Sequence, residues 1–205
     1  MQRDLISNQT YMNAQRTCPQ CGSLLTEKAP RGLCPRCLIE LGRDFDVNKL
    51  GRTAFKTPDL VGDSTAWLNG SPLSPEQLRD HVVVVHFFAF GCINCIHNYP
   101  TYRAWQEQLA GKEVQLIGIH TPETQGEHHV ETLRAKLKAE RLEFPVIVDN
   151  QKANWDAWGN SMWPSVYILD RRGYMRAFWP GELKWQGATG DQQIKQRIEA
   201  LLAEK

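Results

Sequence analysis

No stretch of this 205-residue chain approaches the roughly 18 consecutive apolar residues that a membrane-spanning helix requires. The formal net charge is only +1, so no strong field points to nucleic acid or to an anionic membrane, and neither is expected as a partner. Residues 1–17 are polar, rich in Asn and Gln, and lack the apolar core of a secretory signal, so a cytoplasmic protein is expected. No internal repeat is evident beyond two short cysteine turns. With hydrophobic residues at 41% and charged residues at 23%, the chain is neither disordered nor membrane-like in composition and reads as globular. What it does have is cysteine in an ordered arrangement. All six fall into three Cys-x-x-Cys pairs, Cys18/Cys21, Cys34/Cys37 and Cys92/Cys95. In a reducing compartment such pairs signal metal binding or redox catalysis more often than structural disulfides.

Four regions separate along the chain. Residues 1–16 read as a flexible leader, residues 17–41 hold two cysteine pairs with too little apolar content for a core, and residues 42–57 read as a polar linker. From residue 58 to 205 the pattern is that of an α/β domain. Val82-Val83-Val84-Val85-His86-Phe87-Phe88 is a continuous apolar run, as in a strand buried on both faces. It leads directly into Cys92. A helix follows through Tyr102 and Trp105, then a strand over 114–119, a helix over 127–141, a strand over 144–148 and a short helix over 151–158. Ser165 to Leu169 and Tyr174 to Phe178 flank a Gly-containing turn and form a hairpin, and Ile194, Ile198, Leu201 and Leu202 mark a terminal helix. The order β-α-β-α-β-α-β-β-α implies a central mixed sheet with helices on both faces.

A Cys-x-x-Cys that opens a helix is a chemical device. The helix N-terminus stabilises a thiolate on the first cysteine, one turn brings the second thiol within bonding distance, and a mixed disulfide can then be resolved internally. Cys92 is thus the expected nucleophile and Cys95 the resolving thiol. Haem attachment needs a histidine directly after the second cysteine, and here Ile96 intervenes before His97. A buried structural pair is the alternative, and strand–helix context counts against it.

Phe87-Phe88-Ala89-Phe90-Gly91-Cys92-Ile93-Asn94-Cys95, Ile119-His120-Thr121-Pro122-Glu123, Phe144-Pro145-Val146-Ile147-Val148-Asp149-Asn150 and Trp163-Pro164 together resemble the thioredoxin-like domains of the TlpA/DipZ-like (Redoxin) group. The likeness covers residues 58–205. It implies a thioredoxin fold with an added N-terminal β-hairpin containing Trp67-Leu68-Asn69, and a thiol:disulfide oxidoreductase that exchanges with protein disulfides and with an upstream thiol reductase or oxidant. It also implies a helix kinked at Pro100 and a cis-proline at Pro164, with Trp163 and Gly91 bordering the substrate. Gly91 stands where thioredoxin has tryptophan, His86 where it has the buried aspartate that shuttles protons to the resolving cysteine, and Asn98 where many relatives have glutamate. His86 is therefore either a proton shuttle or a core histidine, and Glu123 is a second candidate for proton transfer. His97 could tune the thiolate or simply pack on the helix. A thiol peroxidase on the same fold is a further alternative, although Ala89 occupies the position where that chemistry uses Thr or Ser.

Cys18-Pro19-Gln20-Cys21 and Cys34-Pro35-Arg36-Cys37, with twelve residues between, have the spacing of a zinc ribbon. Four thiolates complete a tetrahedral shell and leave no open position, so one structural zinc per chain is expected, with iron as the rival metal and no organic cofactor. Metal binding would supply the folding energy this segment lacks. The rival to the enzyme reading is a zinc-ribbon binding module on a redox-inert thioredoxin scaffold. His120, His128 and His129 lack partners at ligand spacing and are not read as a metal site.

Overall fold

The computed structural model describes residues 55–204. Its centre is β3 (Val82–Phe88), the strand whose unbroken apolar run demanded cover on both faces; all seven residues are buried. β3 pairs in parallel with β4 (Val114–His120) and antiparallel with β6 (Ser165–Leu169). β5 (Val146–Val148) extends the parallel side, and β7 (Tyr174–Pro180) extends the other through the hairpin turn at 170–173. Two-residue strands close the edges, β1 (Phe55–Lys56) on β7 and β2 (Trp67–Leu68) on β5. The sheet thus has seven strands in the order β1-β7-β6-β3-β4-β5-β2.

Because side chains alternate along a strand, β3 feeds two separate cores. Val82, Val84 and Phe88 face one core, with Tyr99, Tyr102 and Trp105 from α2 (Ile93–Gln108), Leu133 and Leu137 from α3 (Val130–Ala139), and Ile194, Ile198 and Leu201 from α5 (Gly190–Ala203). Val83, Val85 and Phe87 face the other, against Trp155 of α4 (Ala153–Ala157), Trp158 and Tyr167, with Leu78 of α1 (Pro75–Leu78) at its margin. Each fully buried aliphatic side chain contributes about 1.5–3 kcal/mol. The mixed sheet with helices on both faces is the one the element order required.

Two expectations change. The strand containing Trp67 does not belong to an N-terminal hairpin: β1 and β2 do not pair with each other and lie at opposite edges of the sheet. The reason is a contact across 73 residues of sequence. Asn69, with φ 58°, turns the chain away after β2, and its side-chain amide donates to the Leu142 and Phe144 carbonyls beside β5, so this segment is held by the sheet edge it caps. The sheet also begins at Phe55, inside the stretch read as linker. The second change is at α3, which starts at Val130 because residues Gln125–His128 form a separate 3-10 turn. The cysteine pairs at 18/21 and 34/37 lie outside the described residues.

Candidate active site

The dithiol lies where β3 ends and α2 begins. Cys92 is the N-cap of α2, in extended backbone conformation, and Cys95 sits in the first turn with its N–H on the Cys92 carbonyl at 3.1 Å. Both thiols are free. Their surroundings differ: Cys95 is fully buried, whereas Cys92 keeps 9% of its surface exposed beside Ile93, which is 60% exposed. The Cys95 thiol hydrogen-bonds to the Cys92 sulfur and, against the opposing effect of burial, brings the Cys92 pKa down to about 7; the N–H groups of Cys95 and Asn94 help, and the Glu123 carboxylate opposes. Burial pushes the Cys95 thiol far up, and donation to Cys92 adds to it. Two thiols one helical turn apart therefore differ sharply in acidity, Cys92 made the more acidic by the hydrogen bond it receives and Cys95 the less acidic by burial.

Three loops lie at the C-terminal end of the parallel strands, where the dithiol sits. The first is 89–91. The second follows β4: the Thr121 N–H bonds to the Phe88 carbonyl at 3.0 Å, and the Thr121 hydroxyl donates to Asp149 at 2.9 Å. The third carries the cis Trp163–Pro164 peptide, directly before β6, whose Ser165 pairs with Phe87. A fourth segment braces the set. The Gly181 N–H donates to the Pro164 carbonyl at 2.8 Å, the Leu183 N–H donates to Asn98 Oδ1 at 2.8 Å, and Glu182 pairs with His97 at 3.0 Å. Asn98 therefore serves as a neutral hydrogen-bonding strut between α2 and the 181–183 segment.

The sequence-designated residues fall into this frame unevenly. Trp163 turns its indole inward: Nε1 donates to the Thr121 carbonyl at 2.9 Å and the ring stacks on Trp155 at 4.1 Å, leaving backbone and a partly exposed edge at the loop. His86 points into the core beneath α2, with ring centroids 4.2 Å from Tyr102 and 4.8 Å from Phe144. Burial drives its pKa to about 3, so its ring stays neutral, and Nε2 has no hydrogen-bond partner among the described residues. The space for it comes from Gly118 on the neighbouring strand, where a Cβ would lie 3.2 Å from His86 Nε2. Such an imidazole accepts a proton poorly, and the geometry favours the core reading. Glu123 is exposed, close enough for its charge to be felt at both thiols.

The residue that sequence reasoning missed is Glu127. Only 4% exposed, it accepts N–H bonds from Gly91 at 2.6 Å and from Glu123 and Thr124 at 2.8 Å each, and a hydroxyl bond from Thr124 at 3.3 Å. The Thr124-x-x-Glu127 capping-box pattern was its only local signal.

A buried strand, a reduced dithiol at the next helix N-terminus and a cis-proline before an antiparallel strand define a thioredoxin-like fold. Within that fold class the chain belongs to the AhpC/TSA family, whose profile matches residues 54–178. It is 33% identical over 128 residues to Protein DipZ of Mycobacterium tuberculosis, covering 61% of this chain and 18% of that protein. It is 23% identical over 147 residues to the thiol-disulfide oxidoreductase YkuV of Bacillus subtilis, covering 72% and 94% respectively. The chain thus spans under a fifth of the DipZ length and nearly all of YkuV. Among solved structures it resembles a thiol-disulfide isomerase from Corynebacterium glutamicum, with 28% identity, a TM-score of 0.59 and coverage of 73% and 98%. It also resembles the thioredoxin-like superfamily protein SPOA0173, with 25% identity, a TM-score of 0.63 and coverage of 73% and 97%.

Proposed function

We propose that this protein is a thiol:disulfide oxidoreductase acting on protein disulfides through Cys92 and Cys95. The observation that carries the reading is the asymmetry of the two thiols, one held near pH 7 at a partly open helix N-terminus and its partner buried behind it. The names of its relatives, a thiol-disulfide oxidoreductase and a thiol-disulfide isomerase, agree with it.

In the reductive direction, the Cys92 thiolate attacks one sulfur of a substrate disulfide. That S–S bond breaks, the departing thiolate takes a proton, and a Cys92–substrate disulfide forms. Cys95 then gives up its proton and attacks the Cys92 sulfur, which closes the Cys92–Cys95 disulfide and releases the second substrate thiol. Two electrons have passed from protein to substrate, and a thiol reductase restores the dithiol; with an oxidant upstream the same steps run in reverse. The exposed Glu123 is the proposed proton carrier between this site and water. Backbone of the Trp163–Pro164 loop and of Gly91 would receive the extended substrate chain, with exposed Ile93 and Met162 as apolar contacts. Insulin reduction with dithiothreitol tests the assignment: Cys92→Ser should abolish catalysis, and undiminished activity in that variant would defeat it.

The reading extends to the N-terminal pairs. Cys18, Cys21, Cys34 and Cys37 would hold one structural zinc by thiolate ligation, supported by their spacing alone. Elemental analysis of reduced protein should find one zinc per chain, and less than one metal ion per chain would refute it.

A further inference from the structure

Gly91 does not owe its identity to backbone conformation, since its φ lies outside the left-handed region. It owes it to space. A Cβ at this position would lie 2.8 Å from Glu127 Oε1, the oxygen that receives the Gly91 N–H. The hydrogen bonds to the Glu127 carboxylate all come from donors: Oε1 takes the Gly91 N–H, and Oε2 takes the N–H groups of Glu123 and Thr124 together with the Thr124 hydroxyl. A carboxylate suits this cradle and an amide does not, because an NH2 on either side would face an N–H. One end of the carboxylate therefore grips the residue before the nucleophile, and the other closes the loop after β4.

We infer that Glu127 is the positioning residue of Cys92: it fixes the strand-to-helix turn by holding the N–H of Gly91, the residue directly before the thiol. This rests on Cys92 being the reactive thiol. It also accounts for a glycine where a substrate-packing tryptophan would be expected, because the larger side chain and the buried carboxylate exclude each other.

The test is the pH dependence of Cys92 alkylation by iodoacetamide, located by peptide mapping, in full-length wild type, Glu127→Gln, Glu127→Ala, Gly91→Ala and the double variant Gly91→Ala/Glu127→Ala. Glu127→Gln, whose NH2 would face an N–H on one side of the cradle, should move the midpoint up by about half a unit, because the Cys95 and Asn94 N–H groups that hold the Cys92 pKa down lose their fixed position. Gly91→Ala should slow alkylation about 10-fold when Glu127 is present and less than about 2-fold in the Glu127→Ala background, as coupled neighbours do. A midpoint unmoved in Glu127→Gln, or equal slowing by Gly91→Ala in both backgrounds, would overturn the inference. If Glu127→Ala does not fold, the Glu127→Gln midpoint decides alone. Disulfide turnover measured in parallel on wild type reports separately on the proposed function, since alkylation needs no disulfide substrate.

Discussion

The two ends of the central sheet each bury a carboxylate, and they hold it differently. At the end away from the dithiol, Asp170 follows β6, and the Arg176 guanidinium reaches it at 3.1 Å while also pairing with Glu204 of the terminal segment at 2.9 Å. At the dithiol end, Glu127 is held by N–H and O–H donors of two loops. Where the carboxylate ties the hairpin to the C-terminal helix, its charge is matched by a cation. Where it holds the residue before Cys92, neutral dipoles surround it, and it ties two loops together beside the dithiol. The difference separates a stability device from a reactivity device built from the same functional group.

The comparison breaks first at Arg176. Arg176→Met should cost about 3 kcal/mol in urea denaturation, because it leaves the buried Asp170 with only the exposed Arg172 guanidinium at 3.4 Å, and should leave the rate of Cys92 alkylation unchanged. A parallel change in alkylation would mean that the two ends are not independent.

The same pair can be titrated, with a smaller effect. Burial alone would raise the Asp170 pKa, but the Tyr174 and Arg172 N–H groups and the Arg176 guanidinium outweigh it and hold the carboxyl below its ordinary value of 3.8. A depressed folded-state pKa contributes stability that is fully present above 3.8 and lost as pH falls through the lower, folded value. The stability gap between wild type and Asp170→Asn should therefore be constant above about pH 5 and shrink towards acid.

Asn98→Ala sharpens the other side of the comparison. It removes the acceptor of the buried Leu183 N–H and should cost about 1–2 kcal/mol by thermal or urea unfolding, without charge dependence. The smallest effect belongs to His97, whose pair with Glu182 is half-exposed; His97→Ala should change stability by no more than about 0.5 kcal/mol.

Much of this was legible in the chain because it is local. The apolar run of β3, the cysteines at the start of the next helix and the periodic faces of α2 and α5 are short-range patterns, and each appears where it was expected. The proline at 164 could be assigned a cis bond only through the family resemblance. What escaped was set by pairing across long separations. Glu127 meets Gly91 from 36 residues away, and the capping-box pattern with Thr124 marks it as a turn residue without pointing to that contact. The edge strands were misjudged because two residues carry no usable alternation, so only the unsatisfied edge of the sheet decides where they pair. His86 was ambiguous for the opposite reason: a polar residue in an apolar strand is a local signal, but its aromatic cage is assembled from α2 and the segment before β5.

The proposed function requires Cys92 and Cys95 to form one working redox couple. It is tested most directly by equilibrating the protein in dithiothreitol redox buffers, trapping free thiols and mapping the peptides. A single two-electron transition is expected, in which Cys92 and Cys95 become linked to each other, and it should be lost in a Cys92→Ser variant. Free thiols at both positions under fully oxidising buffer, or either cysteine linked instead to Cys18, Cys21, Cys34 or Cys37, would contradict it.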